Sequence, residues 1–123
     1  MPVGPEVNQV CNLDWHVHPF RADRWFEIWL PAAERSLGFG AVSWTITRSI
    51  EDPLAFRQTM VWRDKADFER YWASDEVTAI RQDALKYFNK PLLPTWHTLV
   101  AADSAVAPAG EGEEVLAGES NGG

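Results

Sequence analysis

Hydrophobic and polar positions change period several times between residues 12 and 101, and each change marks an element. Residues 12–18 alternate, with Leu13, Trp15 and Val17 on one side and Asp14, His16 and His18 on the other. That is the pattern of a half-buried strand, and Pro19 ends it. From 21 to 37 the repeat becomes helical, with Trp25, Trp29, Ala32, Ala33 and Leu37 on one stripe. Pro31 is expected to kink this helix, because it lacks an amide donor and crowds the carbonyl four residues back. The GFG at 38–40 stops it. Residues 41–48 alternate again, Val42, Trp44 and Ile46 against Ser43, Thr45 and Thr47. A turn around Glu51, Asp52 and Pro53 follows, and 55–62 reads as the second strand of a hairpin.

Asp64 then has the chemistry of a helix N-cap, with Asp67 three residues on as its weaker partner. That helix would bury Phe68, Tyr71 and Trp72. Ser74, followed by Asp75 and Glu76, reads as a break and a new cap, restarting the helix through Val77, Ile80, Ala84, Tyr87 and Phe88. Pro91 and Pro94 end it, and 95–101 (TWHTLVA) is the last strand. The order β-α-β-β-α-β predicts an α+β fold: a ferredoxin-like antiparallel sheet with its helices on one face. The other face is then bare. A moderately apolar bare face would pack against a second copy, so a homodimer is expected.

Composition narrows this further. At 123 residues the chain suits one domain. Residues 1–9 read as a flexible arm, 10–103 as the folded domain, and 104–123 as a disordered acidic tail rich in Gly, Ala and Glu. A net charge of −7 with scattered cations excludes a nucleic-acid surface. The absence of a long apolar run predicts no membrane span. The opening MPVGPEVNQV lacks the layout of a signal peptide, and the one cysteine, Cys11, permits no intrachain disulfide, so a cytoplasmic location is expected. Seven tryptophans are many for this length. They either fill a core or wall a pocket for a flat apolar ligand.

Three stretches taken in order, WHVHPFRADRWFEIW, RSIEDPLAFRQTMVW and RDKADFERYWAS, resemble the antibiotic biosynthesis monooxygenase family of the dimeric α/β-barrel superfamily. The resemblance covers about residues 12–102. It implies a dimeric barrel and a range of chemistries: cofactor-free oxygenation of aromatic or polycyclic compounds, haem degradation, polyketide cyclisation, isomerisation, or no catalysis. For the haem-degrading type, Asn12 and Trp72 match the first two family positions. The third falls at Arg81 or Gln82, where an iron-binding histidine would be needed, so no haem and no other cofactor is expected.

His16 and His18 share a strand parity with Asp14 and could supply half of a metal site, which His97 could approach if the first and last strands pair. No carboxylate recurs at ligand spacing elsewhere, and no metal is expected. The better reading makes His16 or His97 a general base. An imidazole, ordinarily titrating near pH 6.5, suits proton abstraction from a phenol or carbon acid at neutral pH. A deprotonated aromatic substrate can itself pass an electron to dioxygen. Asn12, Trp25, Trp29, Trp44, Tyr71 and Trp72 are the expected substrate-binding residues around it. The alternatives are structural histidines on the dimer face, a polyketide cyclase or isomerase, and a non-catalytic, stress-related binding module. Arg81, Gln82, Asp83 and Lys86 read as a solvated helix face.

Overall fold

The computed structural model describes residues 9–105. The expected arm and acidic tail lie outside these residues, apart from Gln9, Ser104 and Ala105. The elements run β1 (Gln9–His16), α1 (Ala22–Arg35), β2 (Ala41–Arg48), β3 (Ala55–Trp62), α2 (Lys65–Ala73), α3 (Asp75–Ala84) and β4 (Thr95–Thr98), with short 3-10 turns after α1 and α3. The four strands form one antiparallel sheet in the order β2-β3-β1-β4. This is the expected α+β, ferredoxin-like plait, with the second long helix split in two.

Local chemistry explains the boundaries. The Asp64 carboxylate accepts the Ala66 amide at 2.9 Å and starts α2. Ser74 ends α2 in extended backbone, then accepts the Val77 amide at 3.3 Å and starts α3. Gly40 stands at φ 110°, closing the turn that follows α1, and a Cβ there would meet Asp67 Oδ2 at 2.9 Å. Only glycine accommodates both demands. α1 runs on through Pro31.

β1 begins and ends earlier than the alternation suggested: it spans Gln9–His16, and Val17 makes an isolated bridge to Phe88. His18 lies outside the strand. Its amide donates to the Tyr87 carbonyl at 2.8 Å, and the Asn89 amide donates to the His16 carbonyl at 2.9 Å. The 87–89 segment is thereby laced to the end of β1.

The sheet divides cleanly into two faces. Cys11, Leu13, Trp15, Phe56, Gln58, Met60 and Trp62 are buried beneath the helices, where Trp25, Trp29, Phe68, Tyr71 and Val77 meet them. Val10, Asn12, Asp14 and His16 of β1 alternate to the open face. Rings dominate the core: Trp15 lies 5.1 Å from Trp25 and 5.0 Å from Trp29, and Trp29 meets Trp72 edge-on at 5.9 Å. Such pairs each add about 0.5–1.5 kcal/mol beyond the area they bury. Among the described residues no helix is long and apolar enough to cross a membrane.

Candidate functional site

Where α1, the α2–α3 junction and the end of β1 diverge, the aromatic core does not close. A cavity of about 280 Å³ remains, walled by Trp15 of β1, Trp29 of α1, Trp72 of α2, Arg81 and Ala84 of α3, and Leu85, Phe88, Lys90, Pro91 and Leu92 of the segment leading to β4. Three indoles and a phenyl ring give it flat, polarisable walls. Trp29 is fixed by a 2.7 Å hydrogen bond from its Nε1 to Oε1 of the fully buried Gln58. Trp72 is fixed by stacking on Phe68, with ring centroids 5.4 Å apart. Rings held on two sides lose little further freedom when a ligand arrives.

Arg81 is the half-buried cation of this wall. Its Nη1 donates to the Trp72 carbonyl at 3.1 Å, and its guanidinium lies 4.3 Å from the centre of the Trp72 ring. Partial burial lowers its pKa from the ordinary arginine value. The expectation of a solvated helix face fails here, because the break at Ser74 turns α3 so that Arg81 lies over Trp72. Trp15, Phe88 and Lys90 also escaped the sequence reading. Alternation marked Trp15 as buried, and only its proximity to the 85–92 segment makes it a wall.

Of the residues expected to bind substrate, Trp29 and Trp72 line the cavity. Trp25 is wholly buried among Trp15 and Phe56, and Tyr71 is wholly buried with its hydroxyl donating to the Ala32 carbonyl at 2.6 Å. Trp44 packs on the core from β2. Asn12 faces the other side of the sheet, where its Oδ1 accepts from Thr59 Oγ1 at 2.8 Å.

The histidines do not line the cavity. His16 and His97 share the open face, but β4 pairs so that His97 stands opposite Val10, six residues along β1 from His16. At about 3.3 Å per residue this places them roughly 20 Å apart. His16 belongs to a chain of side chains satisfied by one arrangement of protons. Its Nε2 donates to Asp52 Oδ2 at 3.0 Å, its Nδ1 accepts from Asn89 Nδ2 at 3.3 Å, and Asn89 Oδ1 accepts from His18 Nε2 at 3.1 Å. Both ring nitrogens of His16 are thus occupied. Backbone and imidazole hydrogen bonds together hold the Asp52 carboxyl below its usual pKa. Burial pushes the Cys11 thiol up to about 12, so it is no nucleophile at neutral pH. Among the described residues, no group of three or more His, Cys, Asp or Glu side chains could hold a metal ion.

Compared as a sequence, the chain matches no family model and no curated protein. Compared as a structure it has many relatives. A protein from Nitrosomonas europaea, named as a candidate antibiotic biosynthesis monooxygenase, superposes with a TM-score of 0.70 at 14% identity, covering 80% of this chain and 94% of that one. A protein of the same designation from Chloroflexus aurantiacus J-10-fl gives 0.66 at 15% identity, covering 79% and 97%. A conserved protein from Methanosarcina mazei Go1 gives 0.68 at 14% identity, covering 76% and 93%. At such identities the likeness is one of fold, and that fold is shared with the two proteins named as candidate antibiotic biosynthesis monooxygenases as well as with the conserved protein.

Proposed function

We propose that this protein is a cofactor-independent monooxygenase-like enzyme acting on a planar aromatic small molecule bound in the tryptophan-walled cavity. The observation that carries the reading is the cavity itself. Small-molecule sites typically occupy about 300–1,000 Å³, and about 280 Å³ stands at the lower edge of that range. The volume suits one or two fused rings better than an extended polycycle. The fold relatives named as monooxygenases support the reaction class.

The lining holds no carboxylate or imidazole. The site therefore suits a substrate whose acidic proton can leave to water, with the walls excluding solvent from the anion that remains. That anion passes one electron to dioxygen, and the radical pair collapses to a carbon–oxygen bond as a peroxide. Loss of water then leaves a carbonyl. One oxygen atom enters the substrate and the other departs as water, so a CH₂ carbon loses four electrons and dioxygen gains four. Proton abstraction by His16 or His97, which lie on the open face and not in the cavity, is a separate proposal that needs a substrate bound on that face. Folded His16→Ala and His97→Ala proteins turning over at the wild-type rate would remove it. A homodimer, joined through the open sheet face, belongs to the same reading.

The decisive experiment follows oxygen uptake under labelled dioxygen with a panel of acidic bicyclic phenols and carbon acids. Uptake with one labelled atom in the product, weakened at least tenfold by Trp72→Ala, is the expected result. Product without uptake would make the protein a cyclase or isomerase. Binding without product would make it a non-catalytic module, an outcome consistent with a wall that holds no carboxylate or imidazole.

A further inference from the structure

The charge of the cavity runs against the charge of the chain. Acidic residues outnumber basic ones by 18 to 11, yet the two ionisable residues of the wall, Arg81 and Lys90, are both cations. Burial against the cavity sets Arg81 apart from the other arginines. Arg24, Arg35, Arg57 and Arg70 are exposed, and each holds a carboxylate, from Glu27, Glu76, Asp14 and Asp67 respectively. Arg48 also pairs with a neutral carbonyl and a ring, Pro53 at 2.6 Å and Phe56 at 4.9 Å, but it is exposed. Arg81 is the one arginine among the described residues that is not exposed, and its partners are a neutral carbonyl and the indole face of Trp72. A guanidinium carries five N–H donors. One is committed to the Trp72 carbonyl at 3.1 Å, and contact with the Trp72 ring, 4.3 Å from its centre, adds a second point of attachment.

We infer that the cavity selects aromatic molecules bearing a carboxylate, received by Arg81 and assisted by Lys90 at the mouth. The inference rests on the aromatic-cavity reading and names the charged group of its ligand. An arginine fork matches the two oxygens of a carboxylate, and it is the better preorganised the more firmly its plane is fixed beforehand. The ring of the ligand then lies among Trp15, Trp29 and Phe88, while its acid group meets the cation seated on Trp72. A bound anion also restores the environment that partial burial denies the guanidinium. Arg81 is in these terms the residue that sets specificity.

The test is calorimetric, at pH 7 and low salt, with naphthoate and its neutral isostere naphthamide. Wild-type protein is expected to bind the carboxylate about tenfold to a hundredfold more tightly, the range of one charged hydrogen-bonded contact. Arg81→Gln should remove most of the difference, leaving only what Lys90 contributes, and Arg81→Lys, which keeps the charge without the fork, should keep a larger part of it. Equal binding of both by the wild-type protein would overturn the inference and leave the aromatic cavity standing. Binding of neither, nor of a neutral naphthyl alcohol, would overturn the cavity reading itself. Because Arg81 also caps the last turn of α2, its variants are compared only at matched melting temperatures. If Arg81→Gln does not fold, the wild-type ligand pair and Arg81→Lys decide the matter.

Discussion

At the scale of single residues, the chain Asp52–His16–Asn89–His18 is the clearest case of sequence-distant groups acting as one. It ties the hairpin turn, the end of β1 and the residue beside Lys90. Asp52 also accepts the Leu54 amide at 3.1 Å, and both contacts lower its pKa. A carboxyl with a depressed folded pKa stabilises the fold fully above its unfolded value of about 3.9. That contribution is lost as pH falls through the lower folded value. Asp52→Asn is therefore expected to lower the melting temperature at pH 7 and to make progressively less difference as the pH falls below about 4, which thermal scans at several pH values would show. Alternation placed His16 and His97 on one face, and the structure agrees. It could not place them along that face, because the β1–β4 register depends on pairing across more than eighty residues.

Among elements, the break between α2 and α3 matters most to the cavity. Ser74 both ends one helix and caps the next, and the change of direction brings Arg81 back over Trp72. Replacing Ser74 by Ala removes the acceptor for the Val77 amide and should cost about 1 kcal/mol. The expected signature is a lower denaturant midpoint with an unchanged slope. Capping chemistry was plain in the sequence at Asp64 and Ser74, and β3 was bounded correctly at 55–62, because these signals are local. What Arg81 faces was not legible, since a charged residue followed by Gln82 and Asp83 has the periodicity of a solvated face. Only the packing of α3 against α2 reveals otherwise. The cavity itself is likewise a gap left between β1, the three helices and the segment leading to β4, and no single stretch of chain encodes it.

For the whole molecule, the open face sets the terms of self-association. Its centre is polar: Arg57 forks onto Asp14 at 2.7 and 3.3 Å, and Asn12 bonds Thr59, with Val10 and Val61 at one end. In the single chain this ion pair is exposed and worth about 0–1 kcal/mol. Covered by a second copy, removal of one partner would leave a buried charge and cost about 3–5 kcal/mol. Arg57→Ala should therefore leave the melting of the isolated chain almost unchanged while dissociating a sheet-to-sheet dimer, as sedimentation would record. An unchanged dimer would place the contact elsewhere on the molecule.

The tilted tryptophans at the heart of the core have an optical consequence. Trp15 sits about equally far from two neighbours, 5.1 and 5.0 Å, with its ring plane inclined by 57° and 58° to theirs. Indoles that close share their electronic excitation, and the skewed geometry makes the shared states chiral. The far-ultraviolet circular dichroism of this protein should therefore carry a paired positive and negative aromatic band superimposed on the backbone signal. Helix content read from that spectrum would be misjudged, whereas the paired band itself would vanish with the indole packing and so report tertiary order directly.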